Sequence, residues 1–162
     1  MLFIRPIVHQ LQGYVLDIGC GPGVYLEYYP GPSLGIDAHP NNIRICKAKG
    51  VRAIQEDANQ FVKEETFDTI LISHVLEHLD NPAGVIENAY LSLKYGGRII
   101  IIVPCYEGFA VGLNGENAHK HFIDEDYINE KMKSLGGKKM HSSIFPPLLG
   151  GIYKELRMIF EK

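Results

Sequence analysis

The chain has 162 residues, of which 46% are hydrophobic and 22% charged, with a formal net charge of −3. That length and balance suit one folded domain with a proper core. The negative balance counts against a nucleic-acid or anionic-membrane partner.

The N-terminal residues Met1-Leu2-Phe3-Ile4-Arg5-Pro6 show no signal-peptide pattern. Tyr14 to Ile18 reads as a first strand, apolar except for Asp17. Glycines then recur at every second position, at Gly19, Gly21 and Gly23. Such a turn lets a ligand lie against bare backbone. The amides of a helix starting behind it would attract an anionic or carboxylate-bearing group. That short helix is predicted over Val24 to Tyr29, ended by Pro30-Gly31-Pro32. Ser33 to Asp37 is a second strand ending on an acid. Pro40 to Lys49 is a helix with proline in its first turn and Gly50 as its stop. Val51 to Ile54 is a third strand, and Ala58 to Val62 one helical turn. Phe67 to Ile72 is a buried fourth strand. A helix starts at Asp80-Asn81-Pro82, runs to Lys94 and is stopped by Gly96-Gly97, and Arg98 to Val103 is a fifth strand. That last strand contains the longest apolar run, Ile99 to Val103, which is too short to span a bilayer.

Beyond this point, Asp124 to Leu135 reads as a helix with acids in its first turn and lysines in its last. Lys131, Lys133, Lys138 and Lys139 form the densest basic cluster and read as a solvated helix end and loop. Lys138 to Ile144 and Ile152 to Phe160 are extended and form an antiparallel hairpin at the sheet edge, although Tyr153 to Phe160 also suits a helix. Strands alternating with helices through short links predict a parallel sheet covered on both faces. No repeat or interdomain linker is visible. Cys20, Cys46 and Cys105 are widely spaced and include no Cys-x-x-Cys pair, which points to reduced thiols in a cytoplasmic protein.

Four segments carry chemistry. The spacing Asp17-x-Gly19-x-Gly21-x-Gly23 differs from the Gly-x-Gly-x-x-Gly of dinucleotide sites. Asp37 lies 20 positions after Asp17, at a strand end, where a carboxylate can accept from both hydroxyls of a ribose; it could also cap the helix at Pro40. After the third strand, Asp57 can accept from an exocyclic amine and the Ala58 amide can donate to a ring nitrogen, although Asp57 also suits a helix cap. The run Phe67-Asp68 to Ser73-His74-Val75-Leu76-Glu77-His78-Leu79 joins a buried strand to a polar turn. Leu93-Lys94-Tyr95-Gly96-Gly97 leads into the fifth strand.

In this order the motifs resemble those of the class I, Rossmann-like S-adenosylmethionine-dependent methyltransferases, over about residues 13–105. The resemblance implies an α/β fold with a doubly wound, mostly parallel seven-stranded sheet, helices on both faces and a C-terminal antiparallel hairpin. It implies one domain over residues 1–162, with a cofactor half at about 13–105 and a substrate-side loop and hairpin at about 106–162. It also implies S-adenosyl-L-methionine as cofactor, with S-adenosyl-L-homocysteine as product. Gly19 and Gly21 would contact its methionine and ribose portion, and Asp17 would order the ammonium. Cys20 and Gly23 belong to the same loop contact. Asp37, with Ala38 beside it, would hold the ribose, and Asp57 and Ala58 would read adenine. Ser73 and His74 would face the methionine and the site of methyl transfer.

His74-Val75-Leu76-Glu77-His78 also fits the His-x-x-Glu-His pattern of inverted zinc peptidases. That pattern needs a helix, and this one follows a buried strand directly, so no metal is expected. His119 and His121 share one face if their segment is extended. A sulfonium methyl is already electrophilic, so the protein's task is placement of a nucleophile and exclusion of water. Where a base is needed, His74 and His119 are the preferred pair among His74, Glu77, His78, His119 and His121. Cys105 and Tyr106 would line the acceptor pocket, and Cys105 to Lys120, with Gly108, Gly112 and Gly115, suits either a mobile lid or simply a long loop. The acceptor is expected to be a small molecule, with no nucleic acid and no membrane involved. The short segment before the first strand leaves room for an open pocket, a lid from a homodimer partner, or a macromolecular acceptor. A non-catalytic binding module on the same fold and a nicotinamide-dependent oxidoreductase are the competing classes.

Overall fold

The computed structural model describes residues 4–105, 118–145 and 154–162. Tyr106, most of the candidate lid and the connection between the last two strands lie outside these residues. The strands are β1 (Val15–Ile18), β2 (Ser33–Asp37), β3 (Ala53–Gln55), β4 (Phe67–Ser73), β5 (Leu93–Pro104), β6 (Lys138–Phe145) and β7 (Glu155–Glu161). The helices are α1 (Arg5–Val8), α2 (Pro40–Ala48), α3 (Pro82–Ser92) and α4 (Glu125–Ser134), with a single 3-10 turn at Leu76–His78.

The strands form one seven-stranded sheet in the order β3-β2-β1-β4-β5-β7-β6. All neighbours from β3 to β5 are parallel, and β7 runs antiparallel to both β5 and β6. The C-terminal residues are thus strand rather than helix, and β7 inserts between β5 and β6.

The period of two in a strand sorts the apolar runs onto two faces. Ile70, Ile72, Ile99, Ile101 and Val103 point to one face and pack with Val85, Ile86 and Ala89 of α3 and Ile128 and Met132 of α4. Leu71, Ile100 and Ile102 point to the other, where Ile7 of α1, Leu11 and Leu26 cover them. Burial on both faces is why the β4 and β5 sequences are continuous runs of isoleucine and leucine rather than alternating ones.

Local chemistry sets the element ends. Pro40 and Pro82 start α2 and α3, and the Asn81 side chain caps α3 by accepting from the Gly84 amide at 3.0 Å. Asp124 caps α4 through the Tyr127 amide at 2.8 Å, with Glu125 and Asp126 in the first turn and Lys131 and Lys133 in the last. Asp68 ties the sheet together: it accepts from the Tyr14 amide at 2.7 Å and from Lys94 Nζ at 2.9 Å. The hydrogen bond from Tyr14, then that from Lys94, lowers its carboxyl below the usual range.

Three of the differences from the sequence reading have a clear local cause. Val24 to Tyr29 is not a helix; 21–28 is a run of turns. Gly23 is left-handed, with φ +75°, and Tyr28 and Tyr29 close three-residue turns on Tyr25 and Leu26 rather than continuing a helical ladder. Next, α3 ends at Ser92, because Leu93 already pairs with Phe67 in the sheet. The following Gly97 is a point of close backbone approach: a Cβ there would lie 2.9 Å from the Lys94 carbonyl and 3.0 Å from that of Asp68. Finally, the third strand begins at Ala53, since the Val51 amide closes the end of α2 on the Cys46 carbonyl at 2.9 Å.

Candidate active site

The C-terminal ends of β1, β2, β3 and β4 open into a cleft of about 350 Å³. Such a position, outside the carboxyl ends of parallel strands, is where open α/β sheets bind ligands. Gly19 and Gly21 form its floor, Asp37, Ala38 and His39 one wall, Glu56, Asp57 and Ala58 a second, and His74, Val75, His78 and Leu79 the far end.

Gly19 and Gly21 are both left-handed, with φ +67° and +52°. A Cβ at Gly19 would run into Val75 Cγ2, whereas at Gly21 it would meet nothing within 4 Å. Gly19 therefore lets β1 and the end of β4 close together, and Gly21 leaves open space. Asp37 braces this loop. Its Oδ2 accepts from the Gly21 amide at 2.9 Å, and its Oδ1 accepts from the His39 amide at 2.8 Å and from Asn42 Nδ2 at 3.0 Å.

Asp17 lies beneath the loop, 1% exposed, and its Oδ2 has no hydrogen-bond partner among the described residues. Burial, followed by repulsion from Asp37, pushes its carboxyl up to about 8.

His74, at the end of β4, has φ +54°, a left-handed conformation that side chains rarely adopt. Its Nε2 donates to Glu155 Oε1 at 3.1 Å, and its Nδ1 lies 3.5 Å from Glu77 Oε1. Glu155 Oε2 in turn accepts from Arg157 Nη2 at 2.8 Å, and the Arg157 guanidinium stacks 3.9 Å over the Phe145 ring. Burial alone would lower the imidazole, but Glu155 and then Glu77 outweigh it and raise His74 to about 9. The same bond from His74 is the main force holding Glu155 down at about 2. At neutral pH His74 is therefore an imidazolium, a donor of hydrogen bonds, and the general-base role expected of it runs against this charge state.

Seven of the expected cofactor residues, Gly19, Gly21, Asp37, Ala38, Asp57, Ala58 and His74, come together on this one cleft. Four do not line it. Asp17 is buried below. The Cys20 thiol packs on Gly35, and burial raises it far above a reactive range. The space beside Gly23 is taken by Cys46 and Val51. The Ser73 hydroxyl pairs with Tyr25 at 3.2 Å. His119 is set back from the cleft, its ring centroid 4.9 Å from that of His78. Ile36, His39, Val75 and Leu79 line the cleft without having been singled out; each flanks a residue that was, which is the signal available for them.

A family described as a methyltransferase domain matches residues 16–101, more than half of the chain. The chain belongs to this methyltransferase family. S-adenosylmethionine is the cofactor that the family and fold imply. An uncharacterised protein of Methanocaldococcus jannaschii is 29% identical over 83% of this chain and 69% of its own length. A tRNA U34 carboxymethyltransferase of Pseudoalteromonas translucida is 27% identical over 65% of the chain and 36% of its own length. A ubiquinone biosynthesis O-methyltransferase of Xylella fastidiosa is 31% identical over 54% of the chain and 40% of its own length. The chain thus spans well under half of these last two relatives. In fold, it is similar to a SAM-dependent methyltransferase from Archaeoglobus fulgidus, with a TM-score of 0.79, 19% identity and coverage of 98% of this chain and 91% of that one.

The residues fit this cofactor. The buried, unpartnered Oδ2 of Asp17 suits an ammonium group, direct or through water, and the open side of Gly21 gives the methionine portion room. Asp37 at the end of β2 and Asp57 and Ala58 after β3 stand on the same cleft, with room for a nucleoside between them.

Proposed function

We propose that this chain moves the methyl group of S-adenosylmethionine to a small-molecule acceptor that enters at the His74–Leu79 end of the cleft. The sulfonium supplies an activated methyl; the chain's residues supply binding, orientation and a water-poor wall. The observation that carries the acceptor class is the charge of the cleft. Its walls carry the acids Asp37, Glu56 and Asp57 against the single cation His74, and no lysine or arginine lines it among the described residues. A polyanionic acceptor needs cations along its path, whereas a compact cleft combining apolar wall with placed polar groups suits a small ligand. His74, fixed by Glu155, stands at the transfer end as a hydrogen-bond donor, and His119 packs against His78, which lines the same end of the cleft. Placement, more than proton removal, is the main catalytic device.

No described helix is long and apolar enough to cross a membrane. Cys20 and Cys46 form no disulfide among the described residues, which agrees with a reducing compartment, and we place the protein in the cytoplasm.

The test is incubation with S-adenosylmethionine carrying a labelled methyl, with a small-molecule cell extract and bulk tRNA in parallel. Label is expected in the low-mass fraction. Label in RNA alone would overturn the acceptor class. Label in neither, with cofactor still bound, would support a non-catalytic module.

A further inference from the structure

Behind the far end of the cleft, two stretches of chain converge. The 3-10 turn brings Glu77 and His78, and the segment after residue 117 brings His119. One donor atom from each lies within 4.8 Å of the other two. The main chain fastens the two stretches together: the Lys120 and His121 amides donate to the Glu77 carbonyl at 2.7 and 3.3 Å, and Lys120 Nζ pairs with Asp80 at 2.7 Å.

Glu77 is 1% exposed, yet neither of its carboxylate oxygens accepts a hydrogen bond among the described residues. His74 Nδ1 lies 3.5 Å from Oε1 as an ion pair, and Oε2 has no hydrogen-bond partner among the described residues. Nδ1 of His78 is also buried without a hydrogen-bond partner. His74 offsets part of the Glu77 charge from the Oε1 side, but a buried carboxylate whose second oxygen has no donor or cation is still costly. One carboxylate and two imidazoles form the donor set of open first-row metal sites, with three protein ligands and free positions for other ligands. Hard magnesium or calcium would call for more oxygen donors.

We propose that Glu77, His78 and His119 bind one divalent first-row transition ion, with its free coordination positions facing the cleft past His78. The His-x-x-Glu-His motif does not build this site as the peptidase pattern would, because His74 is turned to Glu155. The fold supplies His119 in its place. Bonds of about 2.1 Å place tetrahedral ligands roughly 3.4 Å apart, so binding draws the three donors inward by about 1 Å. The ion's chemical use rests on the methyl-transfer reading: it would coordinate an acceptor hydroxyl and favour its deprotonation, which directs the enzyme toward oxygen acceptors. The hydroxyl proton would pass to bulk water as the oxygen takes the methyl and S-adenosylhomocysteine leaves, so no titrating side chain is needed as base.

The experiment is calorimetric titration of the chelator-treated protein with Zn²⁺, Mn²⁺ and Mg²⁺, alongside His119→Ala and Glu77→Gln, with S-adenosylhomocysteine binding measured on every sample. One Zn²⁺ or Mn²⁺ per chain is expected, with Mg²⁺ much weaker, and His119→Ala should weaken the transition ion at least tenfold while keeping homocysteine-compound binding. His119 is only half-buried, so this variant stays informative if Glu77→Gln fails to fold. No stoichiometric uptake, or uptake unchanged in His119→Ala, would overturn the site. Loss of S-adenosylhomocysteine binding by the unaltered protein would instead sink the methyl-transfer reading, leaving the ion titration to be judged by itself.

Discussion

Asp17 and Asp37 stand at neighbouring strand ends and behave differently because their surroundings do. Asp37 accepts hydrogen bonds from three donors. Asp17 has an unpartnered oxygen and is buried, so its carboxyl rises from 3.8 to about 8. The linkage has a definite sign. Below about pH 4 the group is protonated in both folded and unfolded chains and contributes nothing. From there to about pH 8 the unfolded chain ionises while the folded one keeps its proton, so this residue subtracts stability as pH rises, and the loss levels off above about pH 8. In Asp17→Asn that dependence is absent. The difference in melting temperature, variant minus wild type, should grow more positive between about pH 4 and 9; a difference that stays flat would contradict the burial argument. Asp37→Ala should raise the dissociation constant of S-adenosylhomocysteine roughly 10- to 100-fold, since hydrogen bonds to a charged group contribute about 1.5–3 kcal/mol. Calorimetry checks it, with circular dichroism to show that the fold is kept. The loop acids and Asp37 were legible because each sits at a fixed place in a local motif. The pairing of His74 with Glu155 was not: the partners are 81 positions apart, and only the insertion of β7 next to β5 brings them together.

Elements were legible where burial on two faces leaves unbroken apolar runs, as in β4 and β5, and where caps punctuate them, as at Asn81 and Asp124. They were less legible where backbone geometry overrides composition. The stretch after Gly23 has helix-compatible residues, yet left-handed Gly23 and the packing of Leu26 onto the sheet favour successive turns. The same close packing explains why Cys20 and Gly23, although inside the glycine motif, face Gly35 and the end of α2 rather than the cleft. Two substitutions test the element level. Asp124→Ala removes the α4 cap and should cost about 1 kcal/mol, lowering the melting temperature by roughly 2–4 °C. Gly97→Ala places a Cβ against two carbonyl oxygens where the chain enters β5. It should cost about 1–3 kcal/mol, or roughly 3–10 °C. A neutral Gly97→Ala would mean that the close approach relaxes freely. Differential scanning calorimetry reads both.

At the scale of the whole molecule, one sheet sets the functional geometry. Parallel strands deliver Gly19 and Gly21, Asp37, Asp57 and His74 to a common edge from positions up to 55 residues apart, counted from Gly19 to His74. Antiparallel β7 then supplies Glu155 to hold the last of them. The order of the motifs along the chain was enough to foresee the edge, because each parallel strand ends on the same side. Convergence of the 3-10 turn with the segment after residue 117 depends on tertiary contact alone and had no sequence signature beyond the residue types. The most direct test of the account is titration of the purified chain with S-adenosylhomocysteine, with NAD in parallel, by calorimetry and thermal shift. One homocysteine compound per chain should bind, raising the melting temperature by roughly 3–10 °C at ten to a hundred times its dissociation constant, with no response to NAD. No binding of S-adenosylhomocysteine, or binding of NAD in its place, would contradict the assignment of this cleft.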